Sequence, residues 1–485
     1  MSGRPLLTKH VFLEALECTR RGWLLEHPDG DREPPSIGER FRFTQGNIIG
    51  DLAREFLGPG LDLRGPSTTD WIETGRAALA DARNQTLYEV PVVAGQAVAR
   101  PDMLQRAGDG WRLVEVKSAK KMDKKYLDDV GYTIAVAQGA GLMVTRVELL
   151  LVNPDWRCDN DEPPLVLHDV SGDALARAAE LAPLLEVVAA AACGDDAPAE
   201  ALKAVCKNCQ FLGTRCFAEG PPDPVFQLPR ILAKRVDALI ADGVTRISQL
   251  GDGEKLNPVQ QLHRRSVLEG GLVTVASELA TLDDIAAPIA YLDFETVSLA
   301  LPPIPGVAPH DAVPIQFSVH RPLEGGGYAH DELLLDPAHP DLRQFADRLL
   351  AVLDGAASII VYSPFERRCL RWLAERLPAV QGELEATIER LVDLLPIVQS
   401  SVAHPDFHGS LSIKKVLPVL VPAEVLTYHG LEIANGDDAT GVAGLRALGR
   451  VDDASWDSYR NELLAYCAVD TLAMARLHEA LLALR

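Results

Sequence analysis

The sequence predicts a multidomain α/β protein, and three observations carry that expectation. A chain of 485 residues, at roughly 100–200 residues per domain, makes two or three domains with cores of their own. Its 47% hydrophobic and 24% charged residues are those of an ordinary globular protein, which excludes wholesale disorder. Strand-like and helix-like runs alternate at both ends of the chain, the pattern of mixed sheets flanked by helices.

The runs fall into three units, 1–220, 221–286 and 287–485. In the first, a helix-like stretch ends near Cys18, and QGNIIGDLAREFLGPG reads as a helix closed by glycine. TLYEVPVVA, VARPDMLQRA and GWRLVEVKS read as strands around the turn AGDG, followed by a helix-prone stretch at 121–142 and the strand RVELLLVN. PPDP marks a linker into the second unit, where LAKRVDALIADGVTRISQL gives a helix, a glycine turn and a second helix start. That unit reads as a short helical bridge of helix-hairpin-helix type, able to meet a phosphate through helix N-terminal amides. The third unit offers the strands PIAYLDFETV and SIIVYSPF and a long closing helix, NELLAYCAVDTLAMARLHEALLAL. The Pro/Gly-rich stretch 301–327 reads as an excursion over the surface.

Formal charge is 47 minus 69, or −22, which gives no general attraction for phosphate backbones and requires any nucleic-acid contact to be a local basic patch. No window approaches the ~18 apolar residues of a membrane span, and the first residues lack a signal-peptide core. A cytoplasmic protein with no membrane partner is expected. Eight cysteines are too few for a disulfide scaffold. Cys206, Cys209 and Cys216 nevertheless cluster, with Cys18 far upstream. Cys158, Cys193, Cys369 and Cys467 read as small buried hydrophobes.

Two constellations carry chemistry. In YLDFET, Asp293 and Glu295 are two apart on an apolar strand, so both carboxylates point to one face and call for a cation, a divalent metal above all, or a basic partner; a strand end merely exposed to water is the plain alternative. Tyr466 and Asp470 are four apart on the closing helix and share its face. Glu366 follows SIIVYSPF at a helix start, where it is either a first-turn acid or a ligand. Asp393 reads as a structural hydrogen-bonding aspartate or a supporting ligand. In the first unit, Asp102 lies one hairpin away from Glu115 and Lys117, which share a strand face and can converge on a metal and a phosphate. Lys117, Lys120, Lys121, Lys124 and Lys125 have helical spacing and would form a basic stripe in that register, and Lys414 is a further phosphate contact; solvated lysines are the plain alternative.

The order DxE, then an acid, then YxxxD resembles the exonuclease branch of the ribonuclease-H-like superfamily over residues 288–485. The resemblance implies that Asp293, Glu295, Glu366 and Asp470 hold two Mg²⁺ or Mn²⁺ ions while Tyr466 orients water; the usual third acid is aspartate, and glutamate stands at 366. The first unit resembles PD-(D/E)xK nucleases of RecB type, in a restriction-endonuclease-like fold. There Asp102 and Glu115 would bind metal, Lys117 would polarise, and Cys18, Cys206, Cys209 and Cys216 would ligate a [4Fe–4S] cluster, with structural Zn²⁺ the alternative. Two departures stand in that unit, Gly50 where such nucleases carry histidine and Thr133 where they favour glutamine, with Gln138 five residues on. The whole arrangement resembles an uncharacterised bacterial family, domain of unknown function 2779. The expectation is a metal-dependent nuclease acting on DNA or RNA, its C-terminal unit a 3′–5′ exonuclease; the alternative is a nucleic-acid-binding scaffold with one or both nuclease folds inactive.

Overall fold

The computed structural model describes residues 5–30, 34–65, 70–421, 433 and 435–485. The protein is mixed α/β. In the N-terminal unit the strands are β1 (Leu61–Asp62), β2 (Thr86–Tyr88), β3 (Val92–Ala94), β4 (Ala97–Ala99), β5 (Met103–Ala107), β6 (Gly110–Lys117), β7 (Val144–Val152) and β8 (Leu165–Asp169). Six of them form one sheet in the order β1-β2-β5-β6-β7-β8, and β3 and β4 pair separately. β5 and β6 are the hairpin expected around AGDG, and β6 then runs parallel to β7.

Alternation along β6 and β7 explains two cores. Trp111, Leu113, Val147, Leu149 and Leu151 face a cluster shared with the helices Lys9–Glu17 and Lys124–Gly139. Val114, Leu150 and Val152 face Ile49 and Ala53 of the helix Ile37–Leu57. Both faces of β7 are therefore covered, which accounts for its unbroken apolar run LLLV. The helix Ile37–Leu57 is set by a capping box between Ser36 and Glu39 and ends at Gly58 with φ +95°, as the glycine in its sequence predicts.

The same helix joins the two ends of the chain. Ile37 and Phe41 belong to a cluster with Val442, Ala443 and Leu463. Glycines let the helix Gly436–Ala447 approach: a Cβ at Gly441 would lie 2.9 Å from the Gly38 backbone, and one at Gly444 would lie 2.2 Å from the Phe41 ring. Asp438 also accepts from the Gly38 N–H at 3.2 Å.

The bridge packs Val225, Phe226, Val236, Leu239 and Ile247 around Cys206. Its helices Ala233–Ala241 and Pro258–Glu269 flank a 3₁₀ turn at Ile247–Gln249. A short strand, β9 (Val273–Thr274), pairs with a later one.

The C-terminal unit is built on β10 (Ile289–Val297), β11 (Val313–Pro322), β12 (Tyr328–Leu334), β13 (Ser358–Val361) and β14 (Leu391–Asp393); β15 (Val402–Ala403) is the partner of β9. The sheet order is β12-β11-β10-β13-β14. β10, β11 and β12 are antiparallel to one another in turn, and β13 and β14 run parallel to β10. Ala290, Leu292 and Phe294 face the helices Leu342–Val352 and Phe365–Arg376. Tyr291 faces the closing helix Asp453–Ala483 with Met474 and Leu477. By period two, Asp293 and Glu295 lie on that second face.

Two expectations change. The stretch 301–327 is not a surface excursion throughout: 313–322 is β11, almost wholly buried beside β10. Its alternating apolar residues outweigh the flanking prolines and glycines. The lysine stripe is also absent as a helix. Asp123 caps the helix Lys124–Gly139 by accepting from the Lys125 N–H, so Lys117 ends β6 and Lys120 and Lys121 lie in the connecting loop. Among the described residues no helix is long and apolar enough to cross a membrane.

Candidate functional site

Three separate elements bring four acids together at the middle of the C-terminal sheet. β10 supplies Asp293 and Glu295, the closing helix supplies Asp470, and one oxygen from each of the three lies within 4.8 Å of the other two. Glu366 arrives from the first turn of the helix Phe365–Arg376, at the C-terminal end of β13. It is 4% exposed and hydrogen-bonds with Asp293 and Ser363. The C-terminal ends of parallel strands are where open α/β sheets place their ligands.

The electrostatics show a crowded cluster of acids. Burial, then Asp470, Glu366 and Glu295, push the Asp293 carboxyl well above the usual range. Burial followed by Asp470 raises Glu295 to about 8, against the opposing pull of Lys414. Glu366 is raised to about 7, chiefly by burial. Among the described residues no basic side chain forms an ion pair with Asp293 or Glu295. Such a set of oxygens fits a divalent cation, which suits hard oxygen donors and offsets the crowded charge.

Tyr466 is 3% exposed and accepts a hydrogen bond from Lys414 Nζ at 2.6 Å, with the ammonium 4.5 Å from the ring centroid. Lys414 therefore stands beside the acids. Cys467, three residues before Asp470, places its Sγ 3.9 Å from Asp293 Oδ2. Asp393 ends β14 and caps the next helix by accepting from the Leu395 N–H at 2.9 Å, the structural role; it also stands near enough to raise the Glu366 carboxyl.

The N-terminal constellation also assembles, in another form. Asp102 precedes β5 and accepts from the Val116 N–H at 2.6 Å. Glu115 and Lys117 share one face of β6, with Lys117 Nζ 3.0 Å from Glu115 Oε1. Two further residues complete the set. Lys9 donates to Glu115 Oε1 at 2.6 Å and lies 3.0 Å from Asp129, which Lys117 also contacts. Burial raises Glu115 to about 7, and the two ammoniums hold Asp129 down near 2 against burial. Glu115 Oε2 is buried with no partner. Two lysines thus pair with Glu115 and Asp129, while Asp102 forms no ion pair among the described residues.

Lys9 carries no signal in its own segment, because the contact spans 106 residues. Asp129 was findable: it and Thr133, four apart, are polar positions on an otherwise apolar helix face. Thr133 is fully buried and donates to Asp129 O, whereas Gln138 is exposed. At Gly50 an added Cβ would meet only the Arg54 guanidinium, beyond 3.8 Å.

The lysines expected to meet phosphate are differently engaged. Lys120 donates to Pro309 O at 2.8 Å across the unit boundary. Lys125 pairs with Asp123 at 3.3 Å. Lys121 and Lys124 are exposed.

The four cysteines Cys18, Cys206, Cys209 and Cys216 line one pocket, with Arg20 and Arg21 at its edge. Cys18 sits at the junction of the helices Lys9–Glu17 and Thr19–Glu26, and Cys206 is 6% exposed. Four thiols line one pocket, the Cys206 and Cys216 thiols raised chiefly by burial, and thiols are donors that iron–sulfur clusters and zinc ions take.

The fold and site define a mixed-sheet α/β protein with a convergent acidic cluster. Residues 290–412 match a family described as a domain of unknown function, DUF2779. That match includes Asp293, Glu295 and Glu366 and stops short of Lys414, Tyr466 and Asp470. The chain is also similar to an uncharacterized protein of Mycoplasma genitalium, 27% identical over 204 residues, which is 38% of this chain and 30% of that protein. The similarity therefore spans less than a third of the relative's length.

Proposed function

We propose that the protein is a metal-dependent nuclease whose C-terminal unit is a 3′–5′ exonuclease of ribonuclease-H-like type. The observation that carries this reading is the convergence of Asp293, Glu295, Glu366 and Asp470 from three elements on one crowded acidic centre. The strand order, three antiparallel strands followed by two parallel to the first, supports the fold assignment.

In this reading the four acids hold two Mg²⁺ or Mn²⁺ ions, which supply an activated water and stabilise the leaving oxygen of a phosphodiester. Tyr466 takes the ammonium of Lys414 on its oxygen, so its own proton is directed to another acceptor and can orient the water. Lys414 sets its side-chain nitrogen beside the acids, where a phosphate would enter. Cys18, Cys206, Cys209 and Cys216 hold a [4Fe–4S] cluster that ties the first helices to the segment before the bridge, with Zn²⁺ as the alternative occupant.

The N-terminal unit supports a second reading. Lys9 and Lys117 both pair with Glu115, which favours a RecB-like fold that binds nucleic acid rather than cutting it.

The test is cleavage of labelled single- and double-stranded DNA and RNA with Mg²⁺ or Mn²⁺. Asp293→Asn and Asp470→Asn should each abolish activity while Glu115→Gln leaves a large fraction. Undiminished cleavage by both C-terminal variants would overturn the assignment.

A further inference from the structure

A groove of about 760 Å³ runs between the cysteine segment, the bridge and the C-terminal unit. Its size is that of a ligand-binding cleft, ~300–1,000 Å³. Tyr362 and Lys415 line it, and their chain neighbours Ser363 and Lys414 act on the acids, Ser363 by a hydrogen bond to Glu366 and Lys414 by pulling Glu295 down. Lys207 and Asn208, between Cys206 and Cys209, line it as well.

The charge of the groove is opposite to that of the protein. The chain carries −22, yet Lys207, Arg230, His408 and Lys415 line the groove and no aspartate or glutamate does. Lys207, Arg230 and Lys415 are exposed and form no ion pair among the described residues. The field reaches buried His263 behind the groove, which is held down to about 4 by burial first and then by His408 and Lys207.

The backbone is also shaped for the position. Arg230 and His408 adopt φ of +53° and +49° without being glycine, the kind of local strain that persists only where surrounding structure enforces it. Gly409 lets the bridge close on the C-terminal unit: a Cβ there would sit 1.5 Å from Gln227 O. The groove is consequently a built seam between units.

The geometry points to this seam as the track of a single polynucleotide strand, whose sugar–phosphate backbone meets Lys207, Arg230 and Lys415 as its end enters the acidic centre. Only the direction of travel rests on the exonuclease reading; the electrostatic track does not. Lys207 lies inside the cysteine segment, so the occupant of the four-cysteine pocket sets one wall of the track.

Fluorescence anisotropy of single-stranded oligonucleotides in EDTA reads binding without cleavage. The arms are DNA, RNA and blunt duplex, each over a range of salt. Lys207→Gln/Arg230→Gln/Lys415→Gln in one chain should weaken single-strand binding at least tenfold. It should also reduce the slope of log K against log salt by about 2, from three contacts at ~0.7 each. Lys234→Gln/Lys255→Gln, exposed cations on the bridge away from the groove, should bind as wild type. An unchanged slope in the triple variant, an equal loss in the control, tighter binding of duplex, or no binding by wild type would each overturn the track. Loss of binding in the triple variant together with no cleavage by wild type in Mn²⁺ would keep the track and remove the exonuclease. Cleavage by wild type with undiminished binding by the triple variant would do the reverse.

Discussion

Replacing Glu295 by glutamine should stabilise the metal-free protein. In the fold this carboxyl titrates at about 8 rather than 4.5, because it is buried and faces Asp470. The sign follows from which state releases its proton first. Below pH 4.5 folded and unfolded chains both hold the proton, and the group has no effect. As pH rises the unfolded chain releases it while the folded chain cannot, so stability is lost progressively up to about pH 8. A displacement from 4.5 to about 8, at ~1.4 kcal/mol per pH unit, sets a ceiling of about 5 kcal/mol; sharing of the charge among coupled acids leaves about 2–5 kcal/mol. For a unit of this size each kcal/mol moves Tm by ~2–4 °C. Metal-free Glu295→Gln should then melt at least about 5 °C above wild type at pH 8, with the gap closing toward pH 5. Adding Mg²⁺ or Mn²⁺ should raise the wild-type Tm, more at pH 8 than at pH 5.5, and raise that of the variant less. The measurement is thermal unfolding by circular dichroism after EDTA treatment. A metal-free variant melting at or below wild type at pH 8 would refute the crowded-acid argument.

Tyr466→Phe should reduce kcat by roughly 10–10³-fold with little change in oligonucleotide binding, if the phenol positions water rather than holding substrate; single-turnover cleavage separates the two. Cys216→Ser should remove the iron–sulfur absorbance and iron content of protein purified without oxygen, and a colourless wild type with stoichiometric zinc would favour the other occupant. His263, buried and titrating near 4 instead of 6.5, should cost up to about 3 kcal/mol as pH falls through that window, because only the unfolded chain takes up the proton; acid titration of wild type against His263→Gln checks it. Gly444→Ala, whose Cβ would lie 2.2 Å from the Phe41 ring, should destabilise the protein by about 1–3 kcal/mol through overpacking, read as a lowered urea midpoint.

Much of the candidate centre was legible because it depends on local periodicity. Asp293 and Glu295 share a strand face, and Tyr466 and Asp470 share a helix face, for reasons contained within a few residues of each. The β5–β6 hairpin and the glycine end of the helix Ile37–Leu57 were readable on the same ground. The lysine stripe failed because helical spacing does not say where a helix starts: Asp123 caps it after three of the five lysines. The buried strand Val313–Pro322 was hidden by its proline- and glycine-rich surroundings.

What the sequence determined by itself is therefore which side chains stand together on each element, since backbone geometry repeats every two or 3.6 residues whatever surrounds it. The tertiary structure alone decided which faces meet. It placed Asp470 beside Asp293 and Glu295, carried Lys9 across 106 residues to Glu115, and set a lysine between two cysteines on a seam with the bridge and the C-terminal unit. Those pairings follow from the docking of apolar faces distant in the chain, a packing outcome that no local spacing encodes.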